Sequence, residues 1–146
     1  MTDPAPGRAA LPAAGLTEID HVAIAVRDLD AAVDWHHRVL GAEVVHRERV
    51  EPDQVEEALI QVAGSYIQLL TPITGDSPVA RFLNRRGEGL HHIAYRVDDC
   101  AAALAAAVAA GADPIDTVPR PGSRGTTVAF LHPATAFGTL VELVQE

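Results

Sequence analysis

The sequence predicts an α+β fold built from two βαβββ modules, whose strands form one curved sheet around a shared cavity. Three observations lead there. IDHVAIAV at 19–26 returns as LHHIAYRV at 90–97, and each copy runs into an acidic, alanine-rich stretch that reads as a helix. SYIQLL at 65–70 returns as TLVELV at 139–144. In both first strands the bulky residues share one face, while a histidine and small or polar residues share the other. Repetition at this scale means two copies of a supersecondary unit packed together.

Each element has its own signal. HVAIAV at 21–26 reads as a strand with Val22, Ile24 and Val26 on one face and His21, Ala23 and Ala25 on the opposite face. Asp28 is placed to N-cap a helix through LDAAVDWHHRVL, and Gly41 stops it. Strands follow at about 43–50, 55–63 and 65–71, with turns at Pro52-Asp53 and Gly64-Ser65. Between the halves Ser77 caps a short helix that Pro78 opens. The second half repeats the order: a strand at 91–97, a helix from Asp99 to Ala110 stopped by Gly111, then strands near 113–118, 126–131 and 138–145. Residues 1–17, rich in Ala, Pro and Gly, read as a disordered tail without the apolar run of a signal peptide. The folded unit then covers 18–146: module 1 at about 18–72, a linker at 73–88 and module 2 at about 89–146.

Composition narrows the function. A chain of 146 residues is one domain's worth. The net charge of −9 argues against nucleic acid, which requires a basic face. The longest apolar run, Cys100 to Ala110, is too short to span a membrane. One cysteine excludes an internal disulfide and any CxxC motif, consistent with a cytoplasmic setting. All eleven Lys and Arg residues are Arg, which removes Schiff-base chemistry and leaves Glu, Asp, His and Tyr as acid–base groups.

Repeat register selects a constellation. Aligning HVAIAV on HIAYRV pairs His21 with His92, so that His91 faces away or ends the strand; aligning YIQLL on LVELV pairs Gln68 with Glu142. The intervals are alike, 47 residues from His21 to Gln68 and 50 from His92 to Glu142. Two imidazoles, an amide oxygen and a carboxylate suit a divalent transition metal, six-coordinate with two positions open, rather than a thiolate-rich structural zinc site. Singly, each of these histidines reads as a hydrogen-bonded strand residue; four coincidences across a repeat favour the metal. His36, His37 and His46 have no repeat partner and read as surface residues. His132 in FLHP reads as a turn residue or cavity wall.

These residues resemble the vicinal oxygen chelate (glyoxalase-like) superfamily, and within it the methylmalonyl-CoA epimerase family. The resemblance covers 18–146 and rests on IDHVAIAV with its following LG, on SPVARFLNRRGEGLHHIAYRVDD, and on FLHP with GTLVEL. It implies metal ligands at His21, Gln68, His92 and Glu142, with Co²⁺ foremost and Ni²⁺, Mn²⁺ or Zn²⁺ as alternatives. It implies interconversion of (2R)- and (2S)-methylmalonyl-CoA by proton abstraction alpha to the thioester through a metal-stabilised enolate, in a cytoplasmic homodimer. It also implies a catalytic carboxylate in VEEAL, matching Glu57; the match needs a one-residue gap after Gln54, which leaves Glu56 as the rival. The second acid–base group would be Glu142, a water or a histidine. Relatives often carry Lys after HP where this chain has Ala134, so Arg120 or Arg124 would substitute, beside Arg81, Arg85 and Arg86 in the linker, to meet the coenzyme phosphates.

Three rival functions share the fold. A glyoxalase-type isomerase also uses a repeat-symmetric metal, but Gln68 fits the epimerase pattern better. An extradiol dioxygenase could use His21, His92 and Glu142 alone, yet a fourth ligand would occupy a position oxygen needs. A metal-free drug-binding protein has no use for four ligands.

Overall fold

The two halves meet along antiparallel pairing of β1 (Leu16–Ala25) with β5 (Gly89–Val97) in a computed structural model that describes residues 14–146. Module 1 continues through α1 (Leu29–Leu40), β2 (Val44–Val50), β3 (Val55–Val62) and β4 (Ser65–Pro72). The linker helix is α2 (Pro78–Arg86). Module 2 follows with α3 (Cys100–Ala109), β6 (Arg120–Pro121), β7 (Thr127–Leu131) and β8 (Val141–Gln145). Together the strands make one eight-stranded sheet in the order β2-β3-β4-β1-β5-β8-β7-β6. β1 pairs with β4 in parallel, as β5 does with β8, so each module repeats the other about the central pair.

Local chemistry explains the boundaries. The Asp28 and Asp99 side chains each accept a backbone N–H three residues on, at 3.0 Å, and so start α1 and α3. Gly41 ends α1 in the left-handed region at φ 66°. The Ser77 hydroxyl caps α2 ahead of Pro78. β1 begins at Leu16, two residues inside the expected tail, because Leu16 pairs with Val97 and the Thr17 hydroxyl donates to the Arg96 carbonyl. Residues 1–13 of that tail lie outside the described residues. The strand expected at 113–118 is not formed: Pro114 makes one isolated bridge to Leu131, and the ladder resumes only at Arg120–Pro121. Prolines at 114, 119 and 121 each remove a backbone donor, and β7 carries the pairing instead.

Helices cover both faces. On the outer face α1 packs Leu29, Ala32 and Val33 against Val26, Ile60 and Leu69, and α3 packs Cys100, Ala103 and Leu104 against Ala129, Leu131 and Leu143. On the inner face α2 lays Val79 and Leu83 over Ala23 and Ala25. The small alanines of β1 therefore admit a helix. Ala23 does not line the cavity, contrary to the strand-parity expectation, because α2 fills the space above it. None of the described helices is long and apolar enough to cross a membrane.

Two outcomes follow. Leu69 is fully buried, so Leu69→Ala should lower the urea-unfolding free energy by about 2–5 kcal/mol; a smaller loss would contradict the packing of α1 on β4. Cys100 is fully buried, and burial pushes its thiol up to about 11. A disulfide reagent at mildly alkaline pH should titrate no thiol in the native protein and one after denaturation.

Candidate metal centre and active site

Four neighbouring strands deliver the site. Across the central pair His21 stands opposite Ala94 and Ala23 opposite His92. One strand further out on each side, Gln68 pairs with Ala23 and Glu142 with Ala94. All four predicted ligands are buried, and all four line one cavity of about 180 Å³. That volume lies below the roughly 300–1,000 Å³ of drug-sized pockets, so it suits a small acyl group rather than a whole coenzyme.

Three ligand atoms converge. His21 Nε2 and His92 Nε2 are 3.0 Å apart, and Glu142 Oε1 lies 2.9 Å from the first and 3.0 Å from the second. Yet that buried oxygen makes no directed hydrogen bond, and neither does Gln68 Oε1. Lone pairs facing one point repel unless a proton or cation lies among them. Adjacent donors about 2.1 Å from an octahedrally coordinated cation stand about 3.0 Å apart, which matches this triangle. His21, His92 and Glu142 thus form a candidate metal site whose spacing fits a divalent ion.

Both histidines are held from behind, through a feature strand alternation missed. Register shifts fall between Ile19 and His21 on β1 and between Ala23 and Ile24 opposite His92 and Leu90 on β5. The extra residues are Asp20 and His91, so each bulge sets the residue before a candidate ligand against that ligand's ring. Asp20 Oδ2 lies 2.7 Å from His21 Nδ1, and His91 Nδ1 lies 2.8 Å from His92 Nδ1. His91 therefore does not face away; it lines the cavity beside His92, packed edge-on against Phe82.

Burial and charge set the proton states. Burial lowers His92, and it pushes His91 down to about 4 with help from the neighbouring His92 charge. For His21 burial again favours the neutral ring, but its contacts with Asp20 and Glu142 outweigh this and raise it to about 9. Glu142 stays far below the usual carboxylate range: burial would raise it, and the two imidazoles overcome that.

Glu57 enters the cavity from β3, almost wholly buried. Gln68 Nε2 donates to its Oε1 at 3.0 Å, its Oε2 has no partner, and Ser123 lies against the carboxyl. Burial pushes its pKa up, held back by Ser123 and Gln68. Glu56, the rival, points to the other face and pairs with Arg47 at 2.9 Å. The substitute cations are engaged elsewhere. Arg120 is tied to Asp53 at 2.7 Å and Asp116 at 3.0 Å, and Arg124 to Asp20 at 3.1 Å and Glu146 at 3.2 Å. Local carboxylates claim both, so neither is free for a phosphate. His132 is a turn residue whose ring accepts the Ala134 N–H at 3.0 Å. Sequence reasoning passed over Asp20, Asp53 and Ser123; only Asp20 carried a signal, its repeat partner being His91.

Residues 20–130 match the Glyoxalase/Bleomycin resistance protein/Dioxygenase superfamily. The chain is 42% identical over 130 residues to the ethylmalonyl-CoA/methylmalonyl-CoA epimerase of Cereibacter sphaeroides, covering 87% of this chain and 96% of the relative. The chain belongs to the methylmalonyl-CoA epimerase family. This family of isomerases includes the human mitochondrial methylmalonyl-CoA epimerase, 34% identical over 131 residues, with 89% of this chain and 74% of the relative covered. A solved methylmalonyl-CoA epimerase in complex with methylmalonyl-CoA and NH4+ superposes with a TM-score of 0.88 at 40% identity, covering 90% of this chain and 96% of the other. The Mycobacterium tuberculosis epimerase gives 0.86 at 38%, covering 89% and 88%. The expected α+β architecture is the fold of that family.

Two measurements test the centre. His92→Ala should abolish binding of Co²⁺ by the metal-free protein, whereas His91→Ala should weaken it by no more than about 10–100-fold, since it removes a supporting contact and no ligand. The reverse order would place the register one residue away. Because His21 is raised to about 9 without metal, its proton must leave when a cation binds. The apparent affinity should therefore rise about tenfold per pH unit below that value and level off above it, as calorimetric titration would show; a flat profile would contradict the assignment.

Proposed function

We propose that this protein is a metal-dependent epimerase that interconverts (2R)- and (2S)-methylmalonyl-CoA by moving the proton alpha to the thioester. The observation that carries the reading is one cavity wall holding both the convergent triangle of His21, His92 and Glu142 and the buried, half-partnered carboxyl of Glu57. The family's small-acyl thioesters fit the cavity volume.

His21, Gln68, His92 and Glu142 would hold the ion; the mixed nitrogen and oxygen set suits Co²⁺, Ni²⁺, Mn²⁺ or Zn²⁺, and the family resemblance puts Co²⁺ first. A bound divalent ion supplies Lewis-acid stabilisation of the charge that develops on the thioester oxygen. The protein does the rest. Glu57 takes the α-proton on Oε2, while the Gln68 amide on Oε1 keeps the carboxyl aimed. Its burial-raised pKa brings it closer to the working range of a general base. Inversion needs a second donor on the opposite face. Glu142 enters from β8 in the other half of the sheet, but its carboxyl stays ionised between the two imidazoles, so it serves that face as an acceptor and the returning proton comes from a water or a histidine. Phe130, packed edge-on against His92, and the α2 residues Pro78 and Val79 wall off water. With Arg120 and Arg124 engaged, the exposed Arg81, Arg85 and Arg86 of α2 remain to meet the coenzyme phosphates. Exposed Trp35, Val39 and Leu40 on α1 support a homodimer, and the reduced thiol of Cys100 supports a cytoplasmic setting.

Glu57→Gln is nearly isosteric and should leave metal and substrate binding in place while slowing epimerisation by about 10²-fold or more. Exchange of the α-proton with deuterated solvent should survive from one epimer at most. Full activity in Glu57→Gln would overturn the base assignment, and no epimerisation by the metal-loaded native protein would overturn the function.

A further inference from the structure

The register shift at Asp20 does more than bend β1. It turns a carboxylate towards the His21 ring, away from the cavity, and buries it completely. Three basic groups then surround that carboxylate. His21 Nδ1 lies 2.7 Å from Oδ2, and Arg96 of β5 donates to Oδ1 through Nε at 2.9 Å and through a terminal nitrogen at 2.8 Å. Arg124 donates to Oδ2 at 3.1 Å from the turn between β6 and β7.

Arg124 is the unusual member. It is one of four non-glycine residues with positive φ among the described residues, at φ 55°, a conformation that costs free energy unless its surroundings hold it. They do so at three points. The guanidinium reaches Asp20 and Glu146, it stacks 4.6 Å over the Tyr66 ring, and the backbone N–H donates to Glu48 Oε1 on β2 at 3.1 Å. The turn is packed closely enough that a Cβ on Gly122 would come within 2.7 Å of Val128 Cγ1. The residue before Arg124 is Ser123, the one against the Glu57 carboxyl. One arginine therefore connects the turn over the proposed base with the carboxylate behind a proposed metal ligand.

We propose that Asp20 is a positioning residue that fixes the tautomer and ring angle of His21 through Nδ1, and that Arg124 acts through Asp20 to hold that geometry in register with the turn carrying Ser123. A histidine that binds metal through Nε2 needs its proton on Nδ1, and a carboxylate accepting that proton selects the required tautomer and makes the ring a better donor. In the other half, the bulge supplies an imidazole, His91, and no carboxylate behind His92. The two histidines are thus unequal ligands: His21 is backed by an anion and His92 is not. The inference rests on the metal centre proposed above and not on the identity of the substrate.

The test uses the metal-free native protein with Asp20→Asn, Arg124→Met and the double variant. Three quantities are read for each: Co²⁺ affinity by competition with a chelator, the visible absorption of the Co²⁺-loaded protein, and the melting temperature without metal. Asp20→Asn should weaken Co²⁺ binding by about 10–100-fold and change the absorption bands, the scale of a lost supporting contact. Arg124→Met, which keeps much of the apolar stem over Tyr66, should weaken binding less. In the Asp20→Asn background it should cost no further affinity, because its route runs through Asp20. Native affinity and native bands in Asp20→Asn would overturn the proposal. So would a lowered melting temperature with unchanged affinity, or independent losses that multiply in the double variant. If Asp20→Asn does not fold, native affinity and bands in Arg124→Met overturn the coupling. Failure of the native protein itself to bind Co²⁺ would remove the metal centre as well, which separates that outcome from a failure of Asp20 alone.

Discussion

Antiparallel pairing of β1 with β5 sets His21 opposite Ala94 and Ala23 opposite His92, and the rest of the site follows from that register. Parallel pairing then puts Gln68 beside Ala23 and Glu142 beside Ala94. Each histidine gains a small neighbour across the seam and an oxygen donor one strand beyond. A slip of one residue would turn the whole set to the other face. The helices serve this pairing from both sides. α1 and α3 seal the outer face of the two modules, and α2 covers the inner alanines beyond His21, leaving the His21–His92 end open as a cavity.

The cavity wall concentrates buried polar atoms that face inward. Glu57 and Gln68 each keep a buried oxygen without a hydrogen-bond partner, at a cost of about 1–3 kcal/mol per atom, while Glu142 Oε1 faces the two imidazoles at 2.9 and 3.0 Å. The apolar clusters under α1 and α3 contain no such atoms. Polar groups behind the wall are treated differently. The Asp20 carboxylate meets His21, Arg96 and Arg124, so both of its oxygens are partnered, whereas Glu57 Oε2 and Gln68 Oε1 are not. With no lysine in the chain, these structural ion pairs fall to arginine, whose planar fork can bind one carboxylate through two nitrogens, as Arg96 does with Asp20 Oδ1.

Much of this was legible because the chain repeats itself. Repeat alignment alone chose His92 over His91 and paired Gln68 with Glu142, and the three atoms that converge come from that set. Helix ends were legible because Asp28, Asp99, Ser77 and Gly41 act through local chemistry. Three features were hidden for one reason: each depends on partners distant in the chain. Strand alternation turned His91 away, but a bulge returns it to the cavity. Ala23 was expected on the cavity wall, but α2, more than fifty residues later, covers it. Arg120 and Arg124 read as free cations in a Pro/Gly loop, whereas Asp53 and Asp20, far back in the chain, pair with them. The strand expected at 113–118 failed for a local reason, Pro114 within it and Pro119 directly after it, which sequence patterning weighed too lightly.

The central claim is that the two halves share one mixed nitrogen and oxygen cation centre at their seam. X-ray absorption on the Co²⁺-loaded protein tests it most directly. The account predicts one ion per chain, two imidazole nitrogens and further oxygen donors at about 2.1 Å, and no sulfur. A centre with one imidazole or none, a sulfur donor, or no stoichiometric binding would contradict it.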